Sequence, residues 1–236
     1  MIQSFQWFTS KVTHGMVNET KISGVSDFSH RHGNIILTGA SGSGKSAIGR
    51  QTAKLLGLGF LDLDEVIEKN LGRAIKDIVS VDGEEVFREL EMRALLALKN
   101  VRSHVVALGG GTLLSEESLN LAQNMGPIVW VQSSAGEIAR RMFRRIDELE
   151  KRPLLCDLLS EENHEIRRDK LRQRIQKMLD DRRPWYSRAD VVLDGSYVTP
   201  EMAAQHLKDI LVAEGLIRPD RRRFSYGSLL GGIDGA

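Results

Sequence analysis

Five short apolar runs punctuate the chain. They are Asn34 to Thr38, Phe60 to Asp64, His104 to Leu108, Pro127 to Val131 and Asp190 to Leu193. Each is short and bordered by turn-forming residues, as buried parallel strands are. Helix-forming stretches separate them: Lys45 to about Leu56, Glu65 to about Leu71, and residues 75 to 99 with one break at Asp82-Gly83. This alternation predicts an α/β fold with a mainly parallel, five-stranded sheet. Residues 1–30 keep no sustained period and are expected to form a flexible N-terminal arm. Residues 216–236 are basic from Arg218, then glycine-rich, and are expected to form a C-terminal tail. One domain is therefore expected over residues 31–215.

Composition narrows the classes of function. The formal net charge is +1 over 236 residues, which makes no electrostatic case for nucleic acid or acidic membranes. No apolar run approaches the roughly 18 residues of a membrane helix. The first thirty residues have no basic start followed by an apolar stretch, so no secretory signal is expected. The single cysteine, Cys156, fits a reducing compartment, and a cytoplasmic protein is the expectation. Arginines crowd residues 137–188, among them Arg140, Arg141, Arg144, Arg145, Arg152, Arg182 and Arg183. Most fit a solvated helix face laced with weak ion pairs, while a few suit phosphate or carboxylate.

Specific chemistry begins at Gly39-Ala40-Ser41-Gly42-Ser43-Gly44-Lys45-Ser46, followed by Ala47. The run satisfies G-x-x-x-x-G-K-[ST] in the required setting, after a strand and before a helix. Glycines let backbone N–H groups turn inward around an anion, and the helix adds the positive end of its dipole. Lys45 suits the β and γ phosphates of a nucleoside triphosphate, and the Ser46 hydroxyl suits Mg²⁺. On the second strand Asp62 and Asp64 lie two apart, so they are expected to point together into the crevice at its carboxyl end. One could reach the metal shell; the other could accept a proton from an acceptor hydroxyl. Asp64 could also cap the helix that follows.

Six motifs in order give the chain, from about Asn34 to Leu211, a resemblance to the shikimate kinases. They are the phosphate loop; Leu61-Asp62-Leu63-Asp64; Gly72, Gly83-Glu84, Phe87-Arg88 and Glu91; Gly109-Gly110-Gly111; Arg152-Pro153-Leu154-Leu155; and Arg182 with Pro184 and Tyr186. The resemblance implies a three-layer α/β/α fold of the P-loop NTPase kind. It also implies a helical substrate-binding sub-domain at about 64–100 and a mobile lid at about 144–165. It implies transfer of the ATP γ-phosphate, with Mg²⁺, to the 3-hydroxyl of shikimate. By the resemblance Asp62 serves the metal and Asp64 the acceptor hydroxyl. Arg88, oriented by Glu91, and Arg182 grip the acceptor carboxylate, with Arg183 a competitor for the second place. Gly109, Gly110 and Gly111 line the acceptor pocket, Arg152 closes over the transferred phosphoryl group, and Arg145 stacks near the adenine.

Some features depart from that pattern. The segment from Cys156 to Asp181 is long for a lid, and Leu63 replaces a frequently small polar residue, expected to point away from the site. Glu84 is left outside the site. Two rivals stand beside this reading: a gluconate-type sugar-acid kinase, and a non-catalytic nucleotide-binding module. The expected partners are ATP and a small acceptor, and the expected state is a monomer.

Overall fold

The structure is a computed structural model, and it describes residues 33–144, 155, 158, 160 and 163–217. Strands form where the apolar runs predict them: β1 (Asn34–Thr38), β2 (Gly59–Asp62), β3 (His104–Ala107), β4 (Ile128–Gln132) and β5 (Val191–Asp194). The helices are α1 (Lys45–Leu56), α2 (Leu63–Leu71), α3 (Ile75–Asp82), α4 (Glu84–Ala97), α5 (Glu116–Met125), α6 (Ala135–Phe143), α7 (His164–Tyr186) and α8 (Pro200–Ala213).

All four strand pairings are parallel, in the order β2-β3-β1-β4-β5. β1 is buried throughout and sends alternate residues to opposite faces. Ile36 joins the cluster built with α2, α3, α4 and α5, through Ile67, Ile78, Leu95 and Leu119. Ile35 and Leu37 join the cluster beneath α1 and α8, through Ile48, Leu207 and Leu211. Each fully buried aliphatic side chain contributes about 1.5–3 kcal/mol, enough to fix which face each residue takes. Ile217, at the head of the segment expected as a tail, is buried in the same second cluster. A third cluster joins α6 to α7 through Ile138, Met142, Leu171 and Ile175, and takes in Ala40 and Leu155. The charged helix α7 thus rests on a few buried side chains and leaves most of its polar residues in water.

The chain leaves β1 for β2 on one side of the sheet and crosses from β3 to β4 on the other. The carboxyl end of β1 is therefore a switch point, where open parallel sheets hold ligands.

One expectation fails at β2. The strand ends at Asp62, so Asp64 lies in the first turn of α2 and not on a strand. Nor does Asp64 cap the helix. Asp62 is the capping residue, and its Oδ1 accepts the Asp64 backbone N–H at 3.1 Å. The helical spacing of Leu63, Val66 and Ile67 explains the outcome: all three bury in the core once the backbone turns. Leu63 points away from the site, as expected, and is fully buried.

Candidate active site

The loop between β1 and α1 builds the first wall. Gly44 precedes α1 with φ 104°, a left-handed conformation that a side chain resists. No side chain caps α1, so its first amides remain open to an anion, with the positive end of the dipole behind them. The Lys45 ammonium donates to the Gly39 and Ala40 carbonyls at 2.8 and 2.9 Å, which lays the side chain along the loop. The Ser46 hydroxyl donates to Asp62 Oδ2 at 2.6 Å.

This serine and carboxylate form a small set of hard oxygen donors, the kind Mg²⁺ takes. Among the described residues no three His, Cys, Asp or Glu side chains gather as a metal site. Mg²⁺ characteristically keeps one or two protein ligands and fills its shell with phosphate oxygens and water, so the pair fits that ion.

Beside the loop lies a cleft of about 510 Å³, lined by Ser41, Gly42, Gly44, Lys45, Ser46, Ala47, Asp62, Asp64, Arg141 and Met142 among others. It opens toward a smaller hollow of about 210 Å³ that shares Gly44, Ala47 and Arg141 and continues along Gly195, Tyr197, Thr199 and Pro200. Arg141 marks the junction. Its guanidinium donates to the Ser43 carbonyl at 3.0 Å and the Gly195 carbonyl at 2.6 Å, with Glu137 at 2.8 Å behind it. Sequence reasoning did not single it out from its neighbours. The i,i+4 spacing to Glu137 was visible, but the two carbonyls were not. Arg145 and Arg152 lie outside the described residues; Leu155, of the same motif as Arg152, is buried.

Asp64 stands on the far side of the cleft. Its Oδ1 is buried and has no hydrogen-bond partner. Burial, then the charges of Asp62 and Glu91, push its carboxyl up to about 7, against the opposing pull of Lys45. A carboxyl so tuned can take a proton near neutral pH.

Behind Asp64 the glycine triplet, Arg88, Glu91 and Arg182 converge, though none of them lines the cleft itself. The glycine triplet is the hub, and each glycine faces a different side chain. A Cβ on Gly109 would stand 2.3 Å from Glu91 Oε1 and 2.9 Å from Asp64 Oδ1. On Gly110 it would stand 3.2 Å from Arg182 Nη1, and on Gly111 2.2 Å from Arg88 Nη1. At Gly109 and Gly111 the close approach comes from charged side chains, and at Gly110 from the Ser41 backbone nitrogen at 3.1 Å as well as Arg182, whereas the sequence suggested only backbone amides near a ligand. The Gly110 carbonyl accepts from Arg182 at 3.1 Å and from the buried Tyr186 hydroxyl at 2.5 Å. Arg182 faces the hub, while Arg183 is exposed.

Arg88 is held on both sides. Nη1 donates to Glu91 Oε2 at 2.5 Å and Nη2 to Glu84 Oε1 at 2.6 Å. Burial works against its charge, yet Glu91 and Glu84 together hold it above its ordinary value. Glu84, left outside the site by the sequence, thus contacts Arg88 directly. Thr112 joins the same network, its hydroxyl donating to Glu91 Oε1 at 2.6 Å.

The arrangement sets the open start of α1 and the Ser46–Asp62 pair beside the buried Asp64 carboxyl, with the Arg88 and Arg182 network behind it. The family model described as shikimate kinase matches residues 41–211. A shikimate kinase of Chlorobaculum parvum is 40% identical over 69% of this chain and 83% of its own length. One of Thermodesulfovibrio yellowstonii is 36% identical over 74% and 92%. The solved shikimate kinase of Acinetobacter baumannii in complex with shikimate is 29% identical, covers 79% of this chain and 96% of that one, and superposes with a TM-score of 0.68. That of Bacteroides thetaiotaomicron gives 26%, 75%, 97% and 0.66.

Proposed function

The chain belongs to the shikimate kinase family, and we propose that it transfers the γ-phosphoryl group of ATP to the 3-hydroxyl of shikimate. The observation that carries this reading is the position of Asp64. It borders the phosphate cleft on one side and meets Glu91 and Gly109, hence the Arg88 group, on the other.

The acceptor carboxylate pairs with the guanidinium groups of Arg88 and Arg182, and the glycine triplet gives its ring room to approach. The 3-hydroxyl then points at Asp64. Its oxygen attacks the γ-phosphorus in line, the bond from that phosphorus to the bridging oxygen breaks, and ADP leaves with the electron pair. The hydroxyl proton passes to Asp64. Lys45 and the first amides of α1 hold the β and γ phosphates, where charge must be stabilised. Ser46 and Asp62 would hold Mg²⁺, which would supply neutralisation of phosphate charge. The hollow beyond Arg141 suits the base and ribose, because it continues from the cradle along an apolar floor of Ile48, Val198 and Ala203. Arg152 is assigned to the transferred phosphoryl group. The same reading takes the protein as a cytoplasmic monomer.

The test is purified protein with ATP and Mg²⁺ and either shikimate or gluconate. We expect ADP release with shikimate alone, and a product phosphorylated at the 3-oxygen by ³¹P NMR. Release with gluconate alone would establish the sugar-acid reading. No release with either would leave a nucleotide-binding module.

A further inference from the structure

Glu91 is 2% exposed, one of the few charged side chains buried among the described residues. A buried carboxylate needs donors on both oxygens. One oxygen faces Arg88; the other accepts the Thr112 hydroxyl at 2.6 Å. Thr112 is itself 6% exposed, and its backbone amide donates to the Gly109 carbonyl at 3.3 Å. The hydroxyl is thereby tied to the glycine turn that follows β3.

We propose that Thr112 is a positioning residue for the acceptor subsite, pinning Glu91 so that Glu91 in turn aims the Arg88 fork. The inference rests on Arg88 as the acceptor-carboxylate group. Its logic lies in the contrast between the two carboxylates on Arg88. Glu84 is exposed and joined to the arginine by a flexible stem, so it can follow the guanidinium wherever it goes. Glu91 cannot. It is walled in by Gly109, where a Cβ would already stand 2.3 Å from Oε1 and 3.0 Å from the Thr112 hydroxyl. The guanidinium direction is therefore set by the immobile partner, and the immobile partner is set by Thr112. One side-chain hydrogen bond fixes the distance between the two halves of the pocket: the cation on α4 and the glycine wall after β3. Without the hydroxyl, Glu91 Oε1 is left buried without this donor. The carboxylate then rotates toward another donor, and Arg88 rotates with it.

The experiment compares T112V, which keeps the volume and loses the hydroxyl, with T112S, which restores it. For T112V we expect the KM for shikimate to rise about tenfold, the size of one charge-assisted hydrogen bond. The KM for ATP should not change and kcat should fall much less; T112S should bring the shikimate KM back to within about twofold of the original. A merely structural role would move both KM values together and would not separate valine from serine.

A second measurement needs no acceptor. The Nη signals of Arg88, assigned by their loss in R88K, should be separate in the ¹⁵N-labelled protein, where the guanidinium is held. They should be averaged in T112V, where it rotates. Unchanged KM and unchanged Arg88 signals in T112V overturn the proposal. If the protein with Thr112 intact does not phosphorylate shikimate, the proposed function fails, and the Arg88 signals still decide for or against Thr112. Should T112V not fold, T112A against T112S makes the same comparison.

Discussion

Gly111 and Arg88 share one space: a Cβ on the glycine would stand 2.2 Å from Nη1 of the arginine, well inside contact distance. The atom in the way is the far end of a flexible side chain, so a substitution displaces the guanidinium before it disturbs the fold. G111A should therefore raise the shikimate KM about tenfold or more while leaving the KM for ATP and the melting temperature nearly unchanged. Steady-state kinetics and a thermal melt check both halves. A fall of many degrees in Tm would mean that the backbone, not Arg88, had moved.

Arg88 itself gives a sharper split. Its planar fork meets two carboxylates already and suits a third, whereas lysine offers a point charge. R88A should raise the shikimate KM about a hundredfold, in keeping with the loss of a charged, bidentate contact, and R88K should recover little of it. An unchanged KM in R88A would remove the residue from the pocket.

Lys45 lies along the loop on the Gly39 and Ala40 carbonyls, and the proposed function gives it the β and γ phosphates. K45A should cut kcat by about a thousandfold or more, since charge stabilisation dominates phosphoryl transfer. ADP release at a near-normal rate would contradict the role.

Asp64 sets the pH dependence. Its carboxyl is raised from 3.8 to about 7, chiefly by burial. Since the ionised form accepts the proton, kcat/KM should fall about tenfold per pH unit as the pH drops below about 7. The same shift acts on stability. The folded state favours the protonated form, so this contribution to stability is fully present below pH 3.8 and is lost as the pH rises through about 7. D64N, which cannot ionise, should abolish turnover and unfold at higher denaturant above pH 7, by on the order of 2 kcal/mol. The difference should shrink toward zero near pH 4. Urea titrations at pH 4, 6 and 8 read it directly, and a constant difference across that range would point to another cause.

Asp62 raises the Asp64 carboxyl by its charge, second only to burial. In metal-free D62N the Asp64 ¹³C-carboxyl midpoint should move down, and the Mg²⁺ requirement for turnover should rise because the pair with Ser46 loses its carboxylate charge. A midpoint that stays put would mean that the Asp62 charge takes no part in setting it.

Much of this molecule is written locally. The five apolar runs became five parallel strands, because burial on both faces selects short continuous hydrophobic segments wherever they occur. The phosphate loop was legible for a similar reason: its glycines, lysine and serine act through their own backbone and the helix that they start. Where local signals competed, the sequence was ambiguous. Phe60 to Asp64 carries a strand's alternation, but Leu63, Val66 and Ile67 also carry a helix's, and the Asp62 cap tipped the balance.

By itself, then, the sequence determined the alternation of strands and helices, the cradle, and an ordered set of motifs that names a family. What only the tertiary structure decided were relationships between residues far apart along the chain. Thr112 reaches Glu91 across 21 positions, Tyr186 reaches Gly110 across 76, and Arg141 reaches Ser43 across 98. No periodicity encodes such pairs. They depend on how α4, α6 and α7 settle on the sheet, and that follows from the packing of the whole core.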